Sequence, residues 1–170
     1  MNYIRIDKDN MVNGPGIRTV LWVSGCEHKC KNCHNPETWS FSAGQLFTKE
    51  ALSEIRETLL NDYITGLTIT GGDPLNHRNI LDVLTLCKKI KTEFPNKSIW
   101  VYTGGDFEEY IKSDTDTVYH EILNYIDVII DGEFIESLKD VNLKWRGSSN
   151  QRLINVKESI DKNTVVLLES

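Results

Sequence analysis

The sequence predicts an α/β fold with a mostly parallel sheet, and two observations carry that expectation. Short apolar, β-branched runs recur along the chain, and stretches with helical periodicity separate them. Alternation of this kind favours right-handed strand–helix–strand crossovers, either in an open doubly wound sheet or in part of a (β/α) barrel. A complete eight-unit barrel needs roughly 200 or more residues, so a 170-residue chain could supply only about five or six units of one.

The elements follow in order. Asn13-Gly14-Pro15-Gly16 reads as a turn feeding a strand over residues 18–23. Residues 49–60 carry helical spacing, with Thr48 in the N-cap position. A strand over 66–70 runs into Gly71-Gly72. Over residues 76–94, Ile80, Leu81, Leu84, Cys87 and Lys88 follow helical spacing until Pro95 ends the run. Strands are expected over 99–103 and 126–131, with a short helix over 117–125 between them, and two more over 153–156 and 165–168. No repeat, low-complexity tract or linker is read, so residues 1–170 are expected to form a single domain.

Composition narrows the classes. Hydrophobic residues at 39% and charged residues at 26% are ordinary for a globular chain. The balance of 19 basic against 25 acidic residues gives a net charge of −6, which argues against the phosphate-tracking surface that nucleic-acid binders need. No apolar run reaches the roughly 18 to 20 residues that span a bilayer. The N-terminal residues 1–9 alternate charges with Ile and Tyr, unlike a secretory signal, so a cytoplasmic protein without a membrane partner is expected. Three of the four cysteines crowd together while Cys87 stands alone, which fits a reducing compartment better than a disulfide framework.

Cys26, Cys30 and Cys33 form a C-x3-C-x2-C loop directly after the first strand, the functional end of a parallel α/β fold. Thiolates are soft ligands that suit iron–sulfur clusters, and three of them on one loop leave one iron of a 4Fe-4S cluster without a protein ligand. Such a vacancy is a place for substrate chemistry. The same residues with His28 or His34 could instead make a Cys3His zinc site stabilising a non-catalytic binding module. A ferredoxin is a further alternative, although it normally supplies four cysteines per cluster. Cys87 falls on an apolar helix face and reads as a buried small hydrophobe.

With these residues in view, the chain resembles the radical S-adenosylmethionine superfamily, and within it the activating proteins of anaerobic ribonucleotide reductases. The resemblance covers nearly the whole chain: Asn13 to Thr19, the cysteine loop closed by Cys33-His34-Asn35-Pro36, Thr70-Gly71-Gly72-Asp73-Pro74-Leu75, Asp131-Gly132-Glu133-Phe134, and Arg146-Gly147-Ser148-Ser149-Asn150-Gln151-Arg152. It implies a laterally open, incomplete (β/α) barrel in which Cys26, Cys30 and Cys33 hold a 4Fe-4S cluster that cleaves S-adenosylmethionine. No side-chain acid or base is required, because cluster and cofactor carry the chemistry. It further implies cofactor contacts at Asn32, Cys33, His34, Thr70, Gly71, Gly72, Asp73, Asp131 and Arg152, with Asp73 near the methionyl amine and His34 beside the adenine. The implied target is a glycine near the C-terminus of the large reductase subunit, with an electron donor such as flavodoxin as second partner. Activation of another glycyl-radical enzyme, or a small-molecule reaction like that of the deazaguanine-forming synthases, is the nearest enzymatic alternative. Two departures stand out. Asn32 occupies a place where many superfamily members carry an apolar residue, and Glu133 replaces a lysine of the pyruvate formate-lyase activases, so a carboxylate clamp is expected from elsewhere, with Arg152 as the candidate.

Overall fold

A computed structural model describes residues 1–112 and 117–168. In chain order the elements are β1 (Asn2–Asn10), β2 (Ile17–Val23), a 3₁₀ turn at Pro36–Thr38, β3 (Gln45–Leu46), α1 (Lys49–Leu59), β4 (Ile64–Gly71), α2 (Ile80–Glu93), β5 (Ser98–Tyr102) and α3 (Phe107–Ile111). They continue with α4 (Val118–Ile122), β6 (Val128–Asp131), a 3₁₀ turn at Glu136–Leu138, β7 (Arg152–Asn155) and α5 (Val156–Lys162). One seven-stranded sheet has the order β3-β1-β2-β4-β5-β6-β7.

This architecture corrects the expected incomplete (β/α) barrel of five or six units. Only β2–β4, β4–β5 and β5–β6 pair in parallel, whereas β1–β2, β1–β3 and β6–β7 are antiparallel, so the sheet is open and mixed. The reason lies at its two edges. Residues 1–9 alternate charged and apolar side chains because β1 is a strand with one wetter face, its buried Tyr3 packing edge-on against Phe47. At the other edge the chain leaves β6 at Asp131 and re-enters β7 at Arg152, which pair directly. A link that departs and returns at one rim reverses the strand direction, whereas a parallel neighbour needs a crossover to the opposite rim.

Smaller differences have local causes. The expected strand over 165–168 makes only an isolated bridge, Leu167 to Ile154, beside β7. Helix α2 starts at Ile80 because residues 76–79 form a turn whose Asn79 side chain bonds the Ser24 and Asp73 carbonyls. Helix α4 is shorter than expected and begins at Val118, capped by Thr117, whose hydroxyl accepts from the His120 amide. Thr48 stands before α1 with extended backbone but without a side-chain capping bond. Helices α3 and α5 are too short to register as periodic patterns.

The helices cover one face of the sheet. There Leu21, Leu67, Ile69, Ile99, Val101 and Ile129 meet Ile55 and Leu59 of α1, Val83, Leu86 and Ile90 of α2, and Phe107 of α3. Cys87 is buried in this layer, and burial pushes its thiol up to about 12, so it packs as a small hydrophobe. The opposite face carries Trp100, Val128, Ile130 and Leu153, together with the fully buried Arg18. The Arg18 guanidinium donates to the Thr68 and Ser98 hydroxyls and to the Leu67 and Ser98 carbonyls, so a cation bonded to no carboxylate among the described residues is satisfied by neutral oxygens. Among the described residues no helix is long and apolar enough to cross a membrane.

Candidate functional site

The parallel strands β2, β4, β5 and β6 end at one rim, and each end releases a polar segment there. After β2 comes the cysteine loop, after β4 Gly71-Gly72-Asp73, after β5 Thr103-Gly104-Gly105-Asp106, and after β6 Asp131-Gly132-Glu133. The first two are joined by backbone. The Gly72 amide donates to the Val23 carbonyl (2.8 Å) and the Asp73 amide to the Gly25 carbonyl (2.8 Å). A Cβ at Gly72 would lie 2.5 Å from the Gly25 oxygen, so only glycine permits this approach.

The loop itself is sharply bent. Lys29 and Asn32 both adopt left-handed backbone, with φ of 49° and 55°. Cys33 donates its amide to the Cys30 carbonyl (3.1 Å), and the Asn35 amide points at the Cys33 sulfur (3.4 Å). All three thiols are partly exposed. Burial pushes the Cys26 and Cys30 thiols up.

His28 fastens the middle of this loop. Its Nε2–H donates to Asp73 (2.9 Å) and its Nδ1–H to Glu133 (2.7 Å). The hydrogen bond to Asp73, supported by the one to Glu133, raises its pKa to about 9 against the opposing effect of burial. Asp73 is buried and also accepts from the Thr103 hydroxyl (2.9 Å) and the Leu75 amide (3.0 Å). Gly104 makes room for the imidazole, since a Cβ there would sit 2.5 Å from the ring.

Two clefts flank the loop. The first, about 420 Å³, is lined by Cys33, His34, Asn35 and Thr70 together with Trp22, Tyr102, Phe134, Trp145 and Arg146. His34 and Phe134 have ring centroids 4.9 Å apart on its wall. Its lining residues include no carboxylate. The second, about 740 Å³, is lined by His28, Gly104, Asp106, Glu108, Glu109, Asp131, Glu133 and Arg152 among others. Arg152 is committed there: it donates to both Glu108 oxygens (2.8 and 2.7 Å) and through Nε to the buried Asp131 (3.0 Å). The guanidinium draws the Glu108 carboxyl down to about 2.

The structure therefore brings Cys33, His34 and Thr70 to one cleft and places Asp131 and Arg152 in the other. Gly71, Gly72 and Asp73 lie behind the cysteine loop. Asn32 is exposed, and its amide donates to Glu136. Sequence reasoning missed the buttress role of His28, the Thr103 hydroxyl and Glu108. One signal was present: Thr103-Gly104-Gly105-Asp106 repeats Thr70-Gly71-Gly72-Asp73 after the next strand.

Among the described residues no group of His, Cys, Asp or Glu is gathered to hold a single metal ion. The loop fits an iron–sulfur cluster through its donor chemistry: three soft thiols on one bent segment, open to clefts on either side, with Cys33 lining one cleft and Cys26 a third that includes Trp39 and Arg78.

The class of protein follows from comparison. A family model described as a 4Fe-4S single cluster domain matches residues 12–154. The chain is 45% identical over 163 residues to the anaerobic ribonucleoside-triphosphate reductase-activating protein of Enterobacteria phage T4, covering 96% of this chain and 99% of that protein. Proteins of the same name from Pasteurella multocida and Escherichia coli K12 are 45% and 42% identical over 153 residues, each covering 89% of this chain and 95% and 96% of theirs. The chain belongs to the 4Fe-4S single cluster domain family and, within it, to the anaerobic ribonucleoside-triphosphate reductase-activating proteins.

Proposed function

We propose that this chain is a radical S-adenosylmethionine activase, acting as a single domain, that generates a glycyl radical on the large subunit of an anaerobic ribonucleotide reductase. The observation that carries this reading is the backbone junction between Gly25 and the Gly72-Asp73 turn, which sets a three-thiol loop against a glycine-lined strand end beside an open cleft. The activating relatives supply the reductase as target.

In this reading Cys26, Cys30 and Cys33 would hold the cluster, with an electron donor such as flavodoxin as its redox partner. When bound, the cluster would supply the one-electron reductive cleavage of S-adenosylmethionine on which glycyl-radical formation in the reductase depends. The protein's part is binding, orientation and exclusion of water. Cys33, His34 and Thr70 would lie against the ligand, with the Asn32 to His34 backbone facing its adenine. Gly71 and Gly72 would leave room at the strand end, and Asp73, which already holds His28, would be the acceptor for the ligand's ammonium group. Asp131 and Arg152 brace the rim through Glu108.

Reconstituted protein, reduced anaerobically and mixed with S-adenosylmethionine and the reductase, is expected to produce a glycyl signal in electron paramagnetic resonance. Cys30→Ala is expected to abolish both that signal and 5′-deoxyadenosine formation, and to lower iron and inorganic sulfide content. A full cluster with no 5′-deoxyadenosine from the unaltered chain would reject the assignment.

A further inference from the structure

Four side chains of the segment 146–152 carry nitrogen donors, and three of them have work within the protein. Asn150 donates its amide to the Glu133 carbonyl (2.8 Å). Gln151 accepts from the Gly147 and Ser148 amides (2.9 and 3.1 Å) and donates to the Gly132 carbonyl (3.0 Å). Arg152 is held between Asp131 and Glu108. Arg146 is different. It lines the cleft with Cys33, has no hydrogen bond or ion pair among the described residues, and its Nε–H is shielded from solvent without an acceptor.

A buried donor without an acceptor is costly, and a guanidinium pays that cost most readily when a ligand supplies the missing oxygen. The backbone points the same way. Trp145, the preceding residue, sits at φ 59°, which is unusual for a bulky side chain. Its ring packs edge-on against Trp100 at 5.1 Å, and the Tyr102 hydroxyl donates to its carbonyl (2.6 Å). The strained residue is thus fastened from two sides, and Arg146 follows directly. Because the cleft lining contains no carboxylate, Arg146 is the formal cation of an otherwise aromatic and neutral wall, where an anionic group is favoured.

We infer that Arg146, and not Arg152, is the residue that receives the carboxylate of the ligand occupying the Cys33 cleft. This rests on the reading above, in which that ligand is S-adenosylmethionine. The contact is charge-assisted and requires no movement of Arg152 out of its ion pairs.

Trp22 and Trp145 line the same cleft, so binding can be followed by tryptophan fluorescence of the cluster-loaded protein, independently of turnover. The probes are S-adenosylmethionine and its decarboxylated analogue. In the unaltered chain the analogue is expected to bind at least about tenfold more weakly, as loss of a charge-assisted hydrogen bond implies. Arg146→Gln should weaken S-adenosylmethionine about tenfold while leaving the analogue within about twofold, and Arg146→Lys should restore part of the difference. Equal weakening of both probes by Arg146→Gln would overturn the inference, as would no weakening of either. Discrimination lost in Arg152→Gln but retained in Arg146→Gln would also overturn it. If the unaltered, cluster-loaded chain binds neither probe, the cofactor reading itself fails and the inference with it.

Discussion

The clefts on either side of the cysteine loop differ most in how they treat an arginine. In the larger one Arg152 is paired with Glu108 and the buried Asp131 before any ligand arrives, on a wall that also carries Asp106, Glu109 and Glu133. In the smaller one Arg146 shares the lining with aromatic rings and the Cys33 thiol and has no bonded partner among the described residues. Residues close in the sequence therefore differ in their surroundings: one guanidinium is paired within the fold, and the other has no bonded partner among the described residues. A saturated ion-pair cluster is a brace, while an unsatisfied donor in a cleft is an opening for a ligand.

The largest effect that could break this comparison is on stability. Arg152→Ala would leave Asp131, 1% exposed, with the Phe107 amide as donor but no cation, and is expected to cost about 3–5 kcal/mol. Urea unfolding of the cluster-free chain measures it, and a cost near zero would mean that the larger cleft is not braced by this pair.

Gly104→Ala tests the same cleft from the side of His28. The added Cβ meets the imidazole, so a loss of about 1–3 kcal/mol is expected. In a His28→Ala background the same substitution should cost much less, and a double-mutant cycle reads the difference. Additive costs would show that His28 yields freely, and that it does not fasten the loop.

Acid titration sharpens the contrast further. Glu108 has its pKa drawn below the usual carboxylate value of 4.5, to about 2, by Arg152. Its folded-state pKa is depressed, so its contribution to stability is present above about 4.5 and disappears as pH falls toward 2. The cluster-free chain should lose stability over that window, and Glu108→Gln should flatten the slope, read from thermal midpoints across pH. The smallest effect belongs to the other arginine. Arg146→Ala should lower the unfolding free energy by no more than about 0.5 kcal/mol, because no bond to another described residue is lost and a costly unpaired donor is removed.

Much of the parallel centre was legible. The strands at 18–23, 66–70, 99–103 and 126–131 and the helices at 49–60 and 76–94 lie within a few residues of β2, β4, β5, β6, α1 and α2, because a strand buried on both faces is apolar throughout and a long helix repeats its apolar stripe. The edges were legible only in part: the strand expected over 153–156 is β7, whereas β1 was not read as a strand. Strand β1 is half wet and reads as an unremarkable mixture of charges with Ile and Tyr. Strand β7 is short, and its antiparallel sense depends on a link whose path no local pattern encodes. The second Thr-Gly-Gly-Asp, at 103–106, was visible as letters but unremarkable until the parallel register placed it beside the first.

Local chemistry alone determined the three-thiol loop, the glycine turn behind it and the alternating elements that carry both to one rim, since ligand softness, backbone freedom and burial periodicity are properties of short stretches of chain. Only the tertiary structure decided that the sheet is mixed and that His28 is clasped by Asp73 and Glu133. It likewise decided which arginine is already paired. Those outcomes depend on which strand ends meet and which donors find acceptors across distant segments, and a charge in a sequence does not state its partner.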